Sequence, residues 1–327
     1  MAIYLAGTEG DVLTPSNGFT TNSTYFSSAY SRAAAATNRE STITAGVPSD
    51  VGAASASGFW LSYKAYDTGE YGGIYHDKNR LLVKDQSGSN SVSVAASNGI
   101  LTIQVFSTTG SSSVVNTNTM ISFTSLQSYA VHVYTDSGTT YGELYVGFTK
   151  IGVASVSGNN RGAASILISQ GMTNGANLPN ARLYVSELVL ADEITLGFRV
   201  KTSPITADGT HTDFSGTWAD VDEIDPDATA ISSTSSGDLQ TFQHAGAVSS
   251  SSTIRAVILG IFAAADTGDV IQGVVRVGST DYIKSLELPL GTGYTNNFAI
   301  WDVDPSTSLI WEPAAVNAVE VGVKNSS

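Results

Sequence analysis

The run YAVHVYTDSGTTYGELYVGFTKIGVASV, residues 129–156, decides the fold class. Valine, tyrosine, isoleucine and leucine recur here at every second position, the period of a strand with one face turned inward. Between two such stretches, YAVHVYT (129–135) and GELYVGFTKIGVASV (142–156), lies TDSGTT (135–140). Serine and glycine there suit a tight hairpin turn that needs positive φ.

The same texture extends in both directions. LTIQVF (101–106), ASILIS (164–169) and ARLYVSELVLA (181–191) are β-branched and aromatic, separated by Gly, Asn, Ser and Asp clusters. SGNNRG (157–162) reads as a second hairpin turn. One segment, SAYSRAAAATNRE (28–40), has the composition of a helical turn or two. Past residue 195 the pattern restarts. LGFRVKTSPITADGTHTDFSGTW (196–218) reads as a connection plus an entry strand. TIRAVILGIFAAA (253–265), DVIQGVVRVGSTDYIKSLELPL (269–290), NNFAIWDVDP (296–305) and NAVEVGVK (317–324) supply new strands, and Val316, Val319, Val321 and Val323 read as one closing strand. No repeat of fixed period is present, which argues against a propeller or solenoid. The expectation is an all-β chain of two antiparallel β-sandwich domains, 1–195 and 196–327, each long enough for its own core.

Composition narrows the setting. Of 327 residues only 13% are charged, against about 25% in an ordinary soluble domain, and the net charge is −14. Fifteen lysines and arginines spread along the chain do not make the cationic footprint that phosphate neutralisation requires, and an acidic surface is repelled by anionic lipid. Nucleic acid and membrane are therefore not expected as partners. There is no cysteine, hence no disulfide, thiolate metal site or cysteine nucleophile. MAIYLAGTEGDVLTPSNG lacks the basic and apolar regions of a secretory signal, and AVILGIFAAA (256–265) is too short to span a bilayer. The chain reads as soluble and assembled in the cytoplasm.

Two clusters invite a functional reading. GFWLSYKAYDTGEYGGIYHDKNRLLVKDQ (58–86) gathers Trp60, Tyr63, Tyr66, Tyr71 and Tyr75. Aromatic rings stack on the apolar faces of sugars, so these five are the candidate glycan contacts; packing in the core and along a sheet edge is the plainer account. Phe59, Leu61 and Tyr63 share one face of the strand, Trp60 and Ser62 the other. Loop carboxylates Asp67, Glu70 and Asp77 are few for the six to eight oxygens calcium takes.

The second cluster is TWADVDEIDPDATAIS (217–232). An EF-type loop counted from Asp220 needs Gly at the sixth position and Glu at the twelfth; Asp225 and Ile231 stand there. The four histidines, His76, His132, His211 and His244, lack metal-ligand spacing, and His132, alternating with Val131 and Val133, faces solvent or a neighbour. No G-x-S-x-G or H-E-x-x-H motif accompanies the acids. A solvated turn anchored by Trp218 and Ile224 and stopped by Pro226 is the preferred reading. A looser calcium cage from Asp220, Asp222, Asp225 and Asp227 stays open beside it; no other cofactor is expected.

The first half resembles the concanavalin-A-like and laminin-G-like jelly rolls. GFWLSYKAY, AVHVYTDSGTTYGELYVGFTKIGVAS and the closing ARLYVSELVLADE carry the resemblance. It implies a jelly-roll sandwich and no activity, because that fold hosts lectins, glycosidases and structural modules alike. The E-x-D-x-x-E run of the laminarinase branch is missing; Asp192 and Glu193 are adjacent and point to opposite faces, while Glu143 and Glu187 are isolated. An enzyme is not expected. The span 216–324 resembles a module of tailed-bacteriophage and gene-transfer-particle structural proteins, through WADVDE, DPDATAISS, GDLQTF, IRAVIL, VRVGSTDY and WDVDPSTSLIWEPAAVNAVEVGVK. Asp304–Pro305, Trp311 and Asn317 to Lys324 are its most specific part. The resemblance implies a virion protein at head or tail, contacting other virion proteins, attaching to host-surface polysaccharide, and forming a homo-oligomer, a trimer above all. A cement protein without ligand and a carbohydrate-active depolymerase or binding module are the alternatives.

Overall fold

The computed structural model describes residues 3–7, 14–15, 34–36, 42–46, 58–67, 78–97, 100–120, 126–169, 183–222, 229–246, 248–265, 269–285 and 287–327. The chain divides into two compact units, Met1–Lys201 and Thr202–Ser327. Both are all-β and antiparallel.

Two sheets build the first unit. One runs β1 (Ile3–Gly7), β14 (Leu183–Ala191), β5 (Gly58–Asp67), β10 (Gln127–Asp136), β11 (Thr139–Val146), β12 (Thr149–Ser157), with β3 (Ala34–Ala36) also paired to β14. The other runs β2 (Thr14–Pro15), β4 (Thr42–Gly46), β13 (Ser165–Ser169), β6 (Lys78–Lys84), β7 (Asn90–Ser97), β8 (Ile100–Phe106), β9 (Ser112–Met120). The alternating apolar positions meet between them. Phe59, Leu61, Leu81, Leu101, Ile103, Leu144 and Ile166 are fully buried. Glycine sets how closely the layers approach: a Cβ at Gly142 would stand 3.2 Å from the Val105 Cβ of the facing sheet.

Turns and ladder pairing confirm one local expectation and correct three others. The hairpin at 135–140 forms as read, with Ser137 and Gly138 both at positive φ, the two-residue turn whose twist matches the flanking strands. The run 142–156 is two strands, not one. Gly147, at φ 59°, opens a second tight loop between Val146 and Thr149. SGNNRG is not a hairpin but a crossing from the first sheet, at β12, to the second, at β13. Buried Asn160 pins it: its backbone N–H donates to Thr135 Oγ1 at 2.8 Å, while Arg161 bonds the Ser107 carbonyl and Asp85. Within the alanine-rich 28–40, Ala34–Ala36 pairs with β14 as strand; ladder pairing there overrides alanine's helix preference.

In the second unit the main sheet runs β15 (Ile205–Thr212), β16 (Leu239–His244), β22 (Glu320–Asn325), β18 (Val270–Val277), β19 (Thr280–Ile283), with β20 (Leu288–Pro289) also on β18. A two-stranded sheet, β17 (Val257–Ala263) and β21 (Thr295–Trp301), packs over it. Gly273 permits that approach, because a side chain there would run into Ala299. Val275, Ala299, Trp301, Trp311, Val316 and Val319 form the core, and the Trp311 indole donates to the Trp301 carbonyl at 2.9 Å. Val316 lies not on the closing strand but in a short helix, α1 (Pro313–Ala318), which Pro313 starts at its first turn.

Candidate functional site

Register places the site. Trp60 on β5 pairs with His132 on β10, His132 with Glu143 on β11, and Glu143 with Val153 on β12. The row below it, Phe59, Val133 and Gly142, faces the other sheet, so Trp60, His132 and Glu143 stand on the outer face. Tyr134 and Tyr141 form the next outward row, and Tyr145 pairs with Ala130 and Lys150 in the row on the other side.

The rings stack across the strands. Trp60 and His132 are parallel at 4.1 Å between centroids, His132 and Tyr134 at 4.5 Å, Tyr134 and Tyr141 at 5.1 Å, and Tyr145 leans on Trp60 at 5.4 Å. The ladder ends at Tyr141, whose neighbour on β12 is Ser155, a side chain too small to cover a ring. Val153, Ser155 and Lys150 leave β12 as an exposed shelf beside this aromatic wall.

Glu143 sits at the foot of the wall, buried at 8% exposure. Its Oε2 accepts the Tyr145 hydroxyl at 2.6 Å and lies 3.3 Å from His132 Nδ1; its Oε1 accepts Lys150 Nζ at 2.9 Å. Burial works to raise its pKa, but the bonds from Lys150, Tyr145 and His132 outweigh burial and hold the carboxyl below its ordinary value. Burial lowers His132, only partly offset by Glu143. The imidazole is therefore neutral at pH 7 and meets the carboxylate as the Nδ1–H tautomer. Burial and the adjacent carboxylate push the Tyr145 phenol up, and Glu143 raises Lys150. A fixed carboxylate, an exposed ammonium and a ring face open beside small residues can together bind a polar ligand that carries an apolar face.

Farther along this sheet a β-bulge at Ser186–Val189 puts Glu187 at φ 52°. Its buried carboxylate accepts Lys64 Nζ and Arg199 Nε, each at 2.9 Å. Arg199 thereby ties the chain beyond residue 195 to the first unit, which extends to Lys201.

Of the aromatic residues expected as sugar contacts, Trp60 and Tyr63 fall on opposite faces of β5. Trp60 is on the outer face, sandwiched at 9% exposure. Tyr63 points inward, buried and stacked on Tyr129 at 5.5 Å, because it shares the parity of Phe59 and Leu61; it is not a surface contact. Tyr66 lies on β5, its side chain outside the described residues, as are Tyr71 and Tyr75 altogether. Among the acids, Asp220 closes the 3₁₀ turn Trp218–Asp220: its Oδ2 accepts the Thr217 N–H at 2.8 Å. The Trp218 N–H donates to Asp208 at 2.7 Å. Asp225 and Asp227 lie outside the described residues, and among the described residues no group of three or more His, Asp or Glu side chains is placed to hold a metal. Sequence reasoning missed Glu143, set aside as isolated, and with it His132, Tyr134, Tyr141, Tyr145 and Lys150.

No protein-family model matches the chain, and no curated protein matches it. Among solved structures it is similar to the binding domain of Paraclostridial Mosquitocidal Protein 1, at 13% identity over 65% of this chain and 56% of that one, TM-score 0.40. The botulinum neurotoxin serotype G binding domain follows at 10% identity, 61% and 49% coverage and TM-score 0.42. The serotype D ligand-binding domain in complex with N-acetylneuraminic acid stands at 9%, 92% and 96%, and 0.42. The chain spans about half the length of the first two. At these identities and TM-scores the likenesses carry no argument about what this chain does.

Proposed function

We propose that this protein is a glycan-binding surface protein of a tailed-bacteriophage particle, and that the shelf beside Tyr141, Glu143, Tyr145 and Lys150 holds the sugar. One observation carries the binding role: the aromatic ladder on the outer face ends in an open tyrosine next to a buried, charged carboxylate. A sugar ring presents an apolar face to Tyr141 and hydroxyls to the exposed Lys150 ammonium, which Glu143 holds in place, the division of labour that small-molecule sites use. Binding is favoured over hydrolysis because Glu143 is ionised and saturated by three donors, whereas a glycosidase acid needs a raised pKa and a facing carboxylate. The particle setting rests on the resemblance of 216–324 to virion modules and on a composition that is polar but only 13% charged.

The test has two arms. The full chain is titrated with host-surface polysaccharides and with their oligosaccharide fragments by calorimetry, alongside Tyr141→Ala. Stacking on one ring contributes about 1–3 kcal/mol where it has been measured for bases, so Tyr141→Ala is expected to weaken binding at least about fivefold. Binding unchanged by this substitution rejects the shelf. Cryo-electron microscopy of the particle then locates the chain, and its absence from head and tail rejects the virion setting. A second reading, a cement protein without ligand, is favoured by the burial of Trp60 and Tyr63 together with the exposed Phe262, Tyr294, Leu309 and Ile310 of the second unit. It predicts no heat with any polysaccharide.

A further inference from the structure

β17 is an apolar strand covered on one face only. All seven residues from Val257 to Ala263, VILGIFA, are apolar, yet none is fully buried, and Gly260 and Phe262 are exposed. Among the described residues β17 pairs with β21 alone, and its other edge has no ladder partner among them. Leu259 and Ile261 pack toward the main sheet; by strand parity Ile258, Gly260 and Phe262 face away from it. Phe262, 44% exposed, stacks at 5.2 Å on Tyr294, 58% exposed. A strand apolar on both faces belongs inside a sheet, and a free edge with neither charge nor proline is one that soluble proteins ordinarily block. Two strands alone also make a marginal layer.

We infer that β17 is a self-association edge: two copies of this chain pair antiparallel through it, joining two β21–β17 ribbons into one four-stranded sheet. The strand is self-complementary about Gly260. With a two-fold axis there, Val257 faces the partner's Ala263, Ile258 the partner's Phe262 and Leu259 the partner's Ile261, while the two Gly260 residues meet on the axis. Every pair is apolar and no like charges are opposed. That absence selects the occupant. The second unit holds sixteen carboxylates against four lysines and arginines, twelve of the chain's fourteen net negative charges, yet β17 and β21 carry none. A cationic partner would seek acids on this face and finds none, and an anionic membrane is repelled by the unit as a whole. A second copy meets an uncharged seam, with only longer-range repulsion between the two acidic units.

The chain has no cysteine, which gives a direct test on the full protein. Cα atoms opposed in an antiparallel pair lie about 4.5–5.5 Å apart, within disulfide reach. Under mild oxidation Gly260→Cys is expected to give a covalent dimer as the main species, whereas Ile300→Cys, on the neighbouring strand, stays uncoupled. Sedimentation of the unmodified chain from about 1 to 100 µM is expected to show a monomer–dimer equilibrium. It strengthens several-fold between about 50 and 500 mM salt, as repulsion between like-charged units is screened. Phe262→Lys, with an unchanged circular dichroism spectrum, weakens it at least tenfold. The inference is overturned by a monomer throughout that range, by a trimer, by association that weakens with salt, by equal coupling in Ile300→Cys, or by a dimer indifferent to Phe262→Lys.

Discussion

Glu143→Gln isolates the chemistry of the outer face. The substitution keeps the shape and one acceptor oxygen but removes the charge that Tyr145, His132 and Lys150 address. A hydrogen bond to a charged group contributes about 1.5–3 kcal/mol. The bond from Lys150 is discounted because that side chain is 46% exposed. Two bonds in the buried part of the site remain, and against them stands the relief of no longer burying an ion. A net loss of about 2 kcal/mol follows, which for a unit of this size is a fall of roughly 4–8 °C in melting temperature. Differential scanning calorimetry of the full chain reads it in the transition of the first unit. The pH profile is the sharper check. Glu143 has a folded pKa below its ordinary 4.5, so its contribution is complete above 4.5 and disappears as pH falls through the folded value. His132 is likewise below its ordinary 6.5. Below 6.5 the unfolded chain takes up a proton that the folded chain refuses, and both proteins lose stability. The variant loses more, because it lacks the carboxylate that pulls His132 back up. The gap between the two melting temperatures should widen from pH 6.5 to 4.5 and then close. A gap under about 1 °C at pH 7, or one constant from pH 7 to pH 3, refutes the charged, three-donor account of Glu143.

Gly322→Ala should abolish the transition of the second unit and leave that of the first in place, since a Cβ at Gly322 would collide with the Gln240 carbonyl on the adjoining strand; calorimetry of the same sample reads both. Trp311→Phe removes the bond to the Trp301 carbonyl and part of a fully buried ring, a loss of about 2 kcal/mol visible in the urea midpoint of the second unit. Asp220→Ala removes the side chain that receives the Thr217 N–H and should cost about 1 kcal/mol. The same loss is expected with and without millimolar calcium, and a calcium-dependent difference would restore the cation reading of this stretch.

The all-β character was legible because strand periodicity is a local property. Alternation through 129–156 and the Ser137–Gly138 turn are written within a few residues of each other, and the turn alone fixes the register of its hairpin. Where each element must be known in its three-dimensional setting, local reading failed. Ala34–Ala36 has helical composition, but its ladder partner, Tyr184 and neighbours, is about 150 residues away in sequence. SGNNRG has turn composition, but whether a turn returns within a sheet or crosses to another depends on what Asn160 and Arg161 find on the far side. The binding face is an intermediate case. A two-residue loop at 137–138 puts Asp136 opposite Thr139, and counting back along both strands puts Tyr134 opposite Tyr141 and His132 opposite Glu143. The central pair of the site was therefore readable from the hairpin, and Glu143 was isolated only along the chain. Trp60 was not readable in that way: its pairing to His132 joins strands about 70 residues apart with no tight turn to set the register. The parity of β5 told which of its residues share a face, but not which face lies inward. Packing against the second sheet decides that, and it is why Tyr63 belongs to the core and Trp60 to the ladder.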